Sequence, residues 1–453
     1  MKSGAITSVP PSQSSLAKAT DAVFLKISWR ILPILVVSYM IAYLDRVNIG
    51  YAQLQMKQTL PWNNAVYGLG AGIFFLGYFL FEVPSNLLLA RIGARKTLLR
   101  IMMCWGIVAA ATMFVATPTE FYVARFLLGV FEAGFFPGII LYFTWWYPSA
   151  RRGQAIAIFM SATTIVSVIA GPLNGAILKY LHGVNGLSGW QWLFLLQGLP
   201  AVVLGILVFL FLEDKPADAK WLLPAEKDLV YYSLEHDRND AHGEIHAKLG
   251  EILRDPKVLL LSLVYFLLLG ATYTIVFWAP TLIQSWGVKD VLAVGTLAVF
   301  PNGCGVIGMI LIGRSSDRLH ERRWHFAACV AVAALGLWCT TLLQGNLVGG
   351  LMALSFAVIG IAAATPVFFT LVSESLSAGA AAAGIALISS LGNLGPAASP
   401  AINGLITQRS GSMVYSMYAV VAQYLLAGII LLVSVRSAKG VRHESVARAH
   451  HPR

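Results

Sequence analysis

Charged side chains are scarce in this chain. Asp, Glu, Lys and Arg make up 12% of its 453 residues, whereas hydrophobic residues make up 57% and the mean hydropathy is +0.72. A soluble domain carries about 25% charged residues, so this chain has too few to cover a surface that faces water. The scarcity excludes a string of soluble domains. It favours lipid as the surrounding solvent, in which the backbone must pair internally as helices or as a closed barrel.

Motifs for metal, nucleotide or covalent chemistry are also missing. The four cysteines lie inside apolar runs without paired spacing, so we interpret them as packing residues. The chain has no phosphate-binding glycine loop, which argues against a nucleotide-driven pump. The histidines lie in loops, tails or at the ends of apolar runs, and no nucleophile motif is recognisable. We therefore expect neither a metal nor a cofactor, and we do not expect an enzyme.

Long apolar runs dominate what is present. Each is continuous and about the length of a membrane-spanning helix, whereas a barrel needs alternating strands. The first run is full-length and has no preceding cleavage site, so we expect it to stay in the protein. The chain is therefore predicted to be an all-α membrane protein with twelve transmembrane helices. The runs cover residues 31–51, 66–89, 98–117, 121–147, 155–181, 190–212, 258–284, 291–313, 325–344, 347–373, 380–407 and 413–435.

Basic residues are distributed unevenly between the two sets of loops. Both tails and alternate loops hold 26 of the 32 Lys and Arg residues, and the opposite loops hold four. The positive-inside rule then places both termini in the cytoplasm. This orientation explains the net charge of +11, so we expect no nucleic-acid partner.

The longest polar stretch divides the runs six and six. We predict a cytoplasmic tail over 1–30, a six-helix bundle over 31–212, a cytoplasmic linker over 213–257, a second bundle over 258–435 and a cytoplasmic tail over 436–453. A weak repeat supports the two halves, because similar basic loops at 86–96 and 313–322 follow the second run of each half. Such duplicated halves are typical of one large transporter architecture.

Five charged residues lie within the predicted spans and away from the loop-facing ends, where a charge is costly and marks a candidate site. They are Asp45, Arg46, Glu82, Arg125 and Glu132. Arg125 and Glu132 are seven residues apart, so they project from the same face of one helix. Two interpretations remain open. The acids and arginines are either buried ion pairs that only orient helices, or they line a central cavity in which arginine binds a carboxylate and the acids exchange protons.

Further polar side chains lie in spans 2, 5 and 11. Tyr78 lies in the middle of span 2, and Glu82 follows it by one helical turn, which favours a gating or packing role for Glu82. Asn393 lies in the middle of span 11 and is either a fastener between helices or a ligand contact. The hydroxyls of Ser161, Thr163 and Thr164 in span 5 are more typical of packing or of hydrogen bonds to the helix backbone.

The loop 86–96 resembles a degenerate form of the major facilitator superfamily signature, G-x-L-x-D-R-x-G-R-R. Asn86 replaces its glycine, Ala90 its aspartate and Ala94 one arginine, which puts the usual salt-bridge latch of that half in doubt. The second copy keeps Gly313, Asp317 and Arg318. The resemblance implies a major facilitator fold of two six-helix bundles with alternating access.

More narrowly, four motifs resemble the anion:cation symporter family, and within it the bacterial tartrate, phthalate and 4-hydroxyphenylacetate permeases. The motifs are LDRVNIG at 44–50, FEVPSN at 81–86, R-x6-EAG at 125–134 and GIALISSLGNLG at 384–395. The resemblance implies proton-coupled import of a small organic carboxylate by a protein of the bacterial inner membrane, and we expect a monomer in the lipid bilayer.

The resemblance also implies roles for matching positions. Proton coupling falls to Asp45 and Glu132, and gating is expected of Glu82, Asp317 and Arg318. Substrate contacts fall to Arg46, Arg125, Tyr43, Tyr78 and Asn393. Sugar-acid members have a glutamine in span 5 where this chain has Thr163 or Thr164, a departure that favours a substrate with fewer hydroxyls.

Other functions stay open at this point. The nearest alternative is an organic-anion exchanger or exporter on the same fold. A membrane sensor that binds without transport is a more distant one, because such proteins carry a signalling domain and the tails here are short. The identity of the carboxylate and the proton stoichiometry cannot be read from the sequence.

Overall fold

The computed structural model describes residues 13–241, 254–376 and 378–434. Within these residues, twelve helical segments are long and apolar enough to cross a membrane. The prediction of an all-α membrane protein with twelve spans is thereby confirmed. We number the segments spans 1 to 12: Lys18–Thr59, Asn64–Ile92, Ala94–Phe114, Pro118–Trp146, Ser149–Tyr180, Gly189–Phe211, Pro256–Ser285, Val291–Leu319, Arg323–Leu342, Leu347–Ser375, Gly384–Ser410 and Met413–Ser434.

Four spans are interrupted within their length. Spans 1, 8 and 11 change helix at Asn48, Ala298 and Asn393, all of which keep helical backbone angles. The break in span 4 is sharper, because Gly134 adopts the left-handed conformation with φ +85°. The paired helices are Gln13–Val47 with Ile49–Thr59, Pro118–Glu132 with Phe135–Trp146, Val291–Leu297 with Val299–Leu319, and Ala378–Gly392 with Leu394–Ser410. Span 4 therefore breaks just after Glu132.

Two described helices lie within stretches that the sequence predicts to be tail and linker. The first helix begins at Gln13, so much of the stretch 1–30 that we expected to be a tail is helix that continues into span 1. The linker 213–257 contains a helix, Pro224–Ala241. Lys26 pairs with Glu226 at 2.7 Å and Arg152 with Asp237 at 3.4 Å, so salt bridges hold this linker helix against the first bundle. The predicted C-terminal tail lies outside the described residues.

The hydrophobic core divides into two parts that correspond to the two halves of the chain. One large cluster is built almost entirely from spans 1 to 6 and the linker helix, and the other from spans 7 to 12. Each half buries its own apolar residues, which is the expected arrangement of two six-helix bundles.

The bundles meet closely on one side of the membrane. We call the side that carries the segment between spans 6 and 7 the linker side, and the opposite side the far side. In the far half, Gly72 of span 2 packs on Ala397 of span 11, and Gly171 of span 5 packs on Gly295 of span 8. A Cβ added at Gly72 would lie 2.2 Å from the Ala397 carbonyl oxygen, so only glycine permits this approach.

Polar contacts close the same side. Lys57 donates to Asn64 Oδ1 at 2.6 Å, and its ammonium lies 5.1 Å from the ring centre of Tyr67 and 4.9 Å from that of Trp278 in the second bundle. Lys179 also pairs with Asp290 between spans 5 and 8 at 2.7 Å. The hydrogen bond from Lys179 lowers the pKa of Asp290 below its ordinary value, so the Asp290 carboxylate stays charged and paired at neutral pH. These polar contacts add to the glycine packing between the two bundles on the far side.

Gly72→Ala is expected to open the far side. The added methyl meets a backbone carbonyl that cannot turn away, and such overpacking costs about 1–3 kcal/mol in the closed form. The measurement is the maleimide labelling rate of Thr407→Cys, a buried position in the far half of span 11, in a background free of the native cysteines. We expect severalfold faster labelling.

Gly303→Ala is the matched control for this measurement, because a Cβ at Gly303 meets nothing within 4 Å. It should leave the rate unchanged. Equal labelling rates in the two alanine variants would show that the contact between Gly72 and Ala397 does not hold the far side closed.

Candidate functional site

The four most deeply placed charges of the sequence meet inside the first bundle. Asp45, Arg125 and Glu132 are each 1% exposed, and Arg46 retains 12% of its side-chain surface. Span 1 supplies Asp45 and Arg46, and span 4 supplies Arg125 and Glu132. The two residues of span 4 share one buried face, as their spacing predicted.

Glycine packing sets how closely the surrounding helices approach. A Cβ at Gly129 of span 4 would lie 2.0 Å from the carbonyl oxygen of Phe74 in span 2. Spans 2 and 4 therefore touch backbone to backbone at this level. The Phe74 ring then lies beside both arginines, with its centre 5.4 Å from the Arg46 guanidinium carbon and 5.1 Å from that of Arg125. Aromatic faces stabilise both cations where water is largely excluded.

Asp45 is held by neutral hydrogen-bond donors. Its Oδ1 accepts from Asn48 Nδ2 at 2.9 Å, and its Oδ2 accepts from Trp105 Nε1 at 2.9 Å. The carboxylate also lies near enough to Arg125 and Glu132 to interact with their charges. Asp45 is thus oriented without an arginine bound directly to it.

Arg46 connects the acid of span 4 to the second bundle. Its Nη2 forms an ion pair with Glu132 Oε1, and its Nη1 donates to the Tyr273 hydroxyl in span 7 at 3.3 Å. The Tyr78 ring lies below the same guanidinium, with its centre 5.3 Å away. Any movement of span 7 relative to span 1 therefore acts directly on Arg46.

Arg125 has hydrogen-bond donors that lack a partner among the described residues. Its Nε donates to the Gly70 carbonyl at 3.4 Å, but Nη1 and Nη2 are buried and have no hydrogen-bond partner among the described protein groups. The Nε of Arg46 and the Oε2 of Glu132 are in the same situation. Leaving buried charged groups unbonded is costly, so the unbonded guanidinium nitrogens mark a place suited to an anion, whereas the unbonded Glu132 oxygen is suited to a proton or another donor. Two adjacent guanidinium nitrogens are the geometry that holds a carboxylate bidentately.

The remaining predicted contacts lie around this centre. Tyr78 is buried against Arg46, and Tyr43 is half-buried one turn before Val47 in a small cluster with Val166 and Ala170. Asn393 lies at the break in span 11, where its side chain interacts with the carboxylate of Glu82 in span 2. Glu82 and Asn393 therefore lie close to each other across the boundary between the two bundles. This favours the fastener interpretation of Asn393 without removing it from the edge of the site.

The predicted gating residues at the linker side are arranged differently from their motif. Asp317 is exposed and pairs with Arg322 at 2.8 Å, and Arg322 also reaches Glu374 at 3.1 Å. The pairing guanidinium is thus that of Arg322, four residues beyond Arg318. Both contacts lie within the second bundle.

The first half builds an equivalent contact from a different segment. Arg95 donates its backbone N–H to Asp214 Oδ1 at 2.9 Å, and its guanidinium lies 3.5 Å from Glu213. The signature has an aspartate where this chain has Ala90. Here the acidic partners come instead from Glu213 and Asp214, just after span 6. The only sequence signal was the Glu213–Asp214 pair at the start of the linker.

Several partners of the site were not among the predicted residues. Trp105 had no distinguishing signal as one apolar residue in span 3, whereas Asn48 lay in a quoted motif and Tyr273 was one of several aromatic residues in span 7. The span 5 hydroxyls behave as expected, because Ser161 donates to Ile158 O at 2.6 Å and Thr163 to Met160 O at 2.9 Å.

Comparison with known proteins identifies the family. The profile of the Major Facilitator Superfamily matches residues 35–400 and, in a second match, 291–452. A candidate metabolite transport protein of Pseudomonas putida, NicT, is 43% identical over 399 residues, covering 88% of this chain and 91% of that one. A candidate tartrate transporter of Agrobacterium vitis is 41% identical over 425 residues, 94% of each chain. A quinolone resistance transporter of Acinetobacter baumannii is 40% identical over 405 residues, covering 89% of this chain and 93% of that one.

Solved structures agree on the fold. A D-xylose-proton symporter superimposes with a TM-score of 0.72 at 15% identity, over 91% of this chain and 99% of that one. A bacterial homologue of the human lysosomal transporter Spinster, in an inward-facing and unoccupied conformation, has a TM-score of 0.71 at 19% identity. The superposition covers 93% of this chain and 99% of that one. At these identities the likeness shows the shared fold alone.

Trp105→Phe should destabilise the protein by removing a donor from a buried carboxylate. A buried acceptor left unbonded costs about 1–3 kcal/mol, and more when it is charged. The measurement is the thermal unfolding midpoint of the purified protein. Trp146→Phe is the control, since Trp146 is fully buried but its Nε1 has no hydrogen-bond partner among the described groups. An equal loss in both variants would mean that only ring packing matters.

Proposed function

The chain belongs to the major facilitator superfamily, and on this premise we propose that it is a proton-coupled symporter importing a small organic carboxylate. It is a multi-pass membrane transporter and not an enzyme. Two features carry the finer assignment: buried guanidinium donors suited to an anion, and two acids beside them that are suited to protons.

The anion is assigned to Arg125 and Arg46. The observation that carries this step is the pair of buried, unbonded Nη atoms of Arg125, beside the unbonded Nε of Arg46. A carboxylate placed between them receives charge-assisted bonds in a setting from which water is largely excluded. The Phe74 and Tyr78 rings supply flat apolar walls next to both cations. The name of the Agrobacterium vitis relative, a tartrate transporter, agrees with a carboxylate substrate.

Protons are assigned to Glu132 and Asp45. Glu132 competes with the substrate because both need the Arg46 guanidinium. When Glu132 binds a proton, its pair with Arg46 weakens and the guanidinium turns to the substrate carboxylate. Asp45 lies next to Arg125 and is the second proton site. Each ligand thus raises the affinity for the other, as linkage between two sites requires.

Alternating access follows from the contacts between bundles. The far side is sealed by spans 2 and 11 and by spans 5 and 8, so release takes place toward the linker side. Arg46–Tyr273 and Glu82–Asn393 transmit the state of the site to the second bundle. We retain Glu82 and Asp317 as gating residues. Arg322, and not Arg318, supplies the guanidinium that pairs with Asp317.

Membrane orientation completes the proposal. The basic residues concentrate on the linker side, which the positive-inside rule places in the cytoplasm. Both termini then face the cytoplasm, the protein is a monomer in the inner membrane, and release on the linker side is import.

Export or exchange on the same fold is the second candidate. One observation favours it: a relative that is 40% identical is named a quinolone resistance transporter. Such a protein would move substrate in the opposite direction, or would need a counter-anion inside.

Uptake into proteoliposomes under an imposed pH gradient tests the proposal. One pH unit corresponds to about 1.4 kcal/mol per proton, so a coupled monovalent anion should accumulate about tenfold for each proton carried. Tartrate, phthalate, 4-hydroxyphenylacetate and a hexonate form the substrate panel. Accumulation that survives collapse of the gradient rules out proton symport, and uptake that requires a trans anion selects exchange.

Asp45→Asn and Glu132→Gln should each abolish accumulation driven by the pH gradient, because a neutral amide cannot carry the proton. Counterflow exchange of preloaded substrate should persist, since the arginines remain. Glu235→Gln, an exposed acid of the linker helix, is the matched control and should accumulate normally. Full accumulation by both buried variants would overturn the assignment of the proton sites.

A further inference from the structure

A cleft of about 500 Å³ lies on the outer surface of the first bundle, in its linker half. Spans 2 and 4 form its apolar walls, with Phe81, Leu87, Leu88 and Phe131 among the lining residues. Arg91 of span 2 and Arg100 of span 3 line the same cleft. The cleft is separate from the charged centre described above.

The cleft lies beside the end of the first helix of span 4. Nearer the far side, spans 2 and 4 touch backbone to backbone, and a Cβ at Gly77 would lie 2.5 Å from the Phe126 carbonyl oxygen. Val130 and Phe131, in the last turn of the first helix of span 4, line the cleft just before the chain turns through Gly134. The cleft and Glu132 therefore lie at the same level of span 4.

The cleft faces lipid. On span 4, Phe131 and its neighbour Val130 lie away from the face that carries Arg125 and Glu132. The same outer face includes Val123, which is 52% exposed. On span 2, Leu87 is 59% exposed. Apolar side chains this exposed on the outside of a membrane bundle contact acyl chains.

Two arginines stand in this apolar surface without a carboxylate. Arg100 is six residues into span 3 and donates to the neutral Ser85 hydroxyl at 2.8 Å. Arg91 is exposed in the last turn of span 2. Across residues 13–241, 254–376 and 378–434, no acidic oxygen lies within 4.0 Å of either guanidinium. A cation facing hydrocarbon is costly unless an anion meets it.

We propose that this cleft is a binding site for an anionic phospholipid. The phosphate lies between Arg91 and Arg100, which offer fork-shaped donors suited to phosphate oxygens. One acyl chain follows the wall formed by Phe81, Leu87, Leu88 and Phe131. The mainly apolar lining selects a lipid over free phosphate, since inorganic phosphate would leave that wall uncovered. The linker side is also the predicted cytoplasmic side, where anionic lipids attract basic residues.

Native mass spectrometry of the purified full-length protein tests the site. Detergent-solubilised protein is titrated with phosphatidylglycerol, with phosphatidylcholine of the same acyl chains, and with inorganic phosphate. We expect phosphatidylglycerol to remain bound at activation energies that remove phosphatidylcholine, and inorganic phosphate not to displace it. Equal retention of the two lipids, or displacement by phosphate, would overturn the proposal.

Charge-neutral variants locate the effect. Arg91→Gln and Arg100→Gln should each weaken phosphatidylglycerol binding by roughly fivefold, as expected for one basic residue at a lipid surface. Arg318→Gln removes an exposed linker-side arginine from the second bundle and should not change it. Arg100→Lys keeps the charge and should retain most of the binding. This variant guards against misfolding as the cause of any loss.

Unchanged binding in the Arg91→Gln/Arg100→Gln double variant would place the lipid elsewhere and refute this site. The result does not depend on symport, because the cleft and the charged centre are on different faces of span 4. Loss of lipid binding with intact uptake, or the reverse, separates the two proposals.

Discussion

The ion pair between Arg46 and Glu132 is the interaction on which the rest of the structure depends. Two charges taken out of water lose solvation that their mutual attraction only partly returns, and the balance must come from neighbouring groups. Here the neighbours are the Phe74 and Tyr78 rings and the hydroxyl of Tyr273. Phe74 occupies its place because Gly129 lets spans 2 and 4 touch. Gly129 therefore determines both the packing of these two helices and the position of an aromatic ring beside the buried charges.

The two bundles divide the chemistry unequally. All four charges of the centre belong to spans 1 and 4, whereas the second bundle reaches them through a neutral group, the Tyr273 hydroxyl, which accepts from Arg46. Among the described residues of spans 7 to 12, charged side chains lie toward helix ends. The described hydrogen bond between the charged centre and the second bundle therefore ends on a neutral group. The charges themselves stay within one bundle.

Most of the site could be predicted because charge is so rare in the spans. Asp45, Arg46, Arg125 and Glu132 stand out against apolar neighbours, and the spacing of the last two placed them on one face. Their partners were less visible. Trp105 donates a hydrogen bond to Asp45 but has the same sequence context as any tryptophan in an apolar run. Whether Arg318 or Arg322 forms the ion pair depends on which side chain faces Glu374. Such pairings depend on distances between helices, about which periodicity carries no information.

The amino-acid sequence by itself determined the number of spans, the division into halves and the identity of the buried charges, because hydrophobic length and the cost of burying charge act locally along the chain. Only the tertiary structure decided that Arg46, rather than Arg125, pairs with Glu132. It also decided that Arg125 keeps unbonded donors and that a lipid-facing cleft lies beside the break in span 4. The physical reason is that helical periodicity specifies a face of each helix, whereas the rotation and approach of one helix against another are set by packing between residues far apart in the chain.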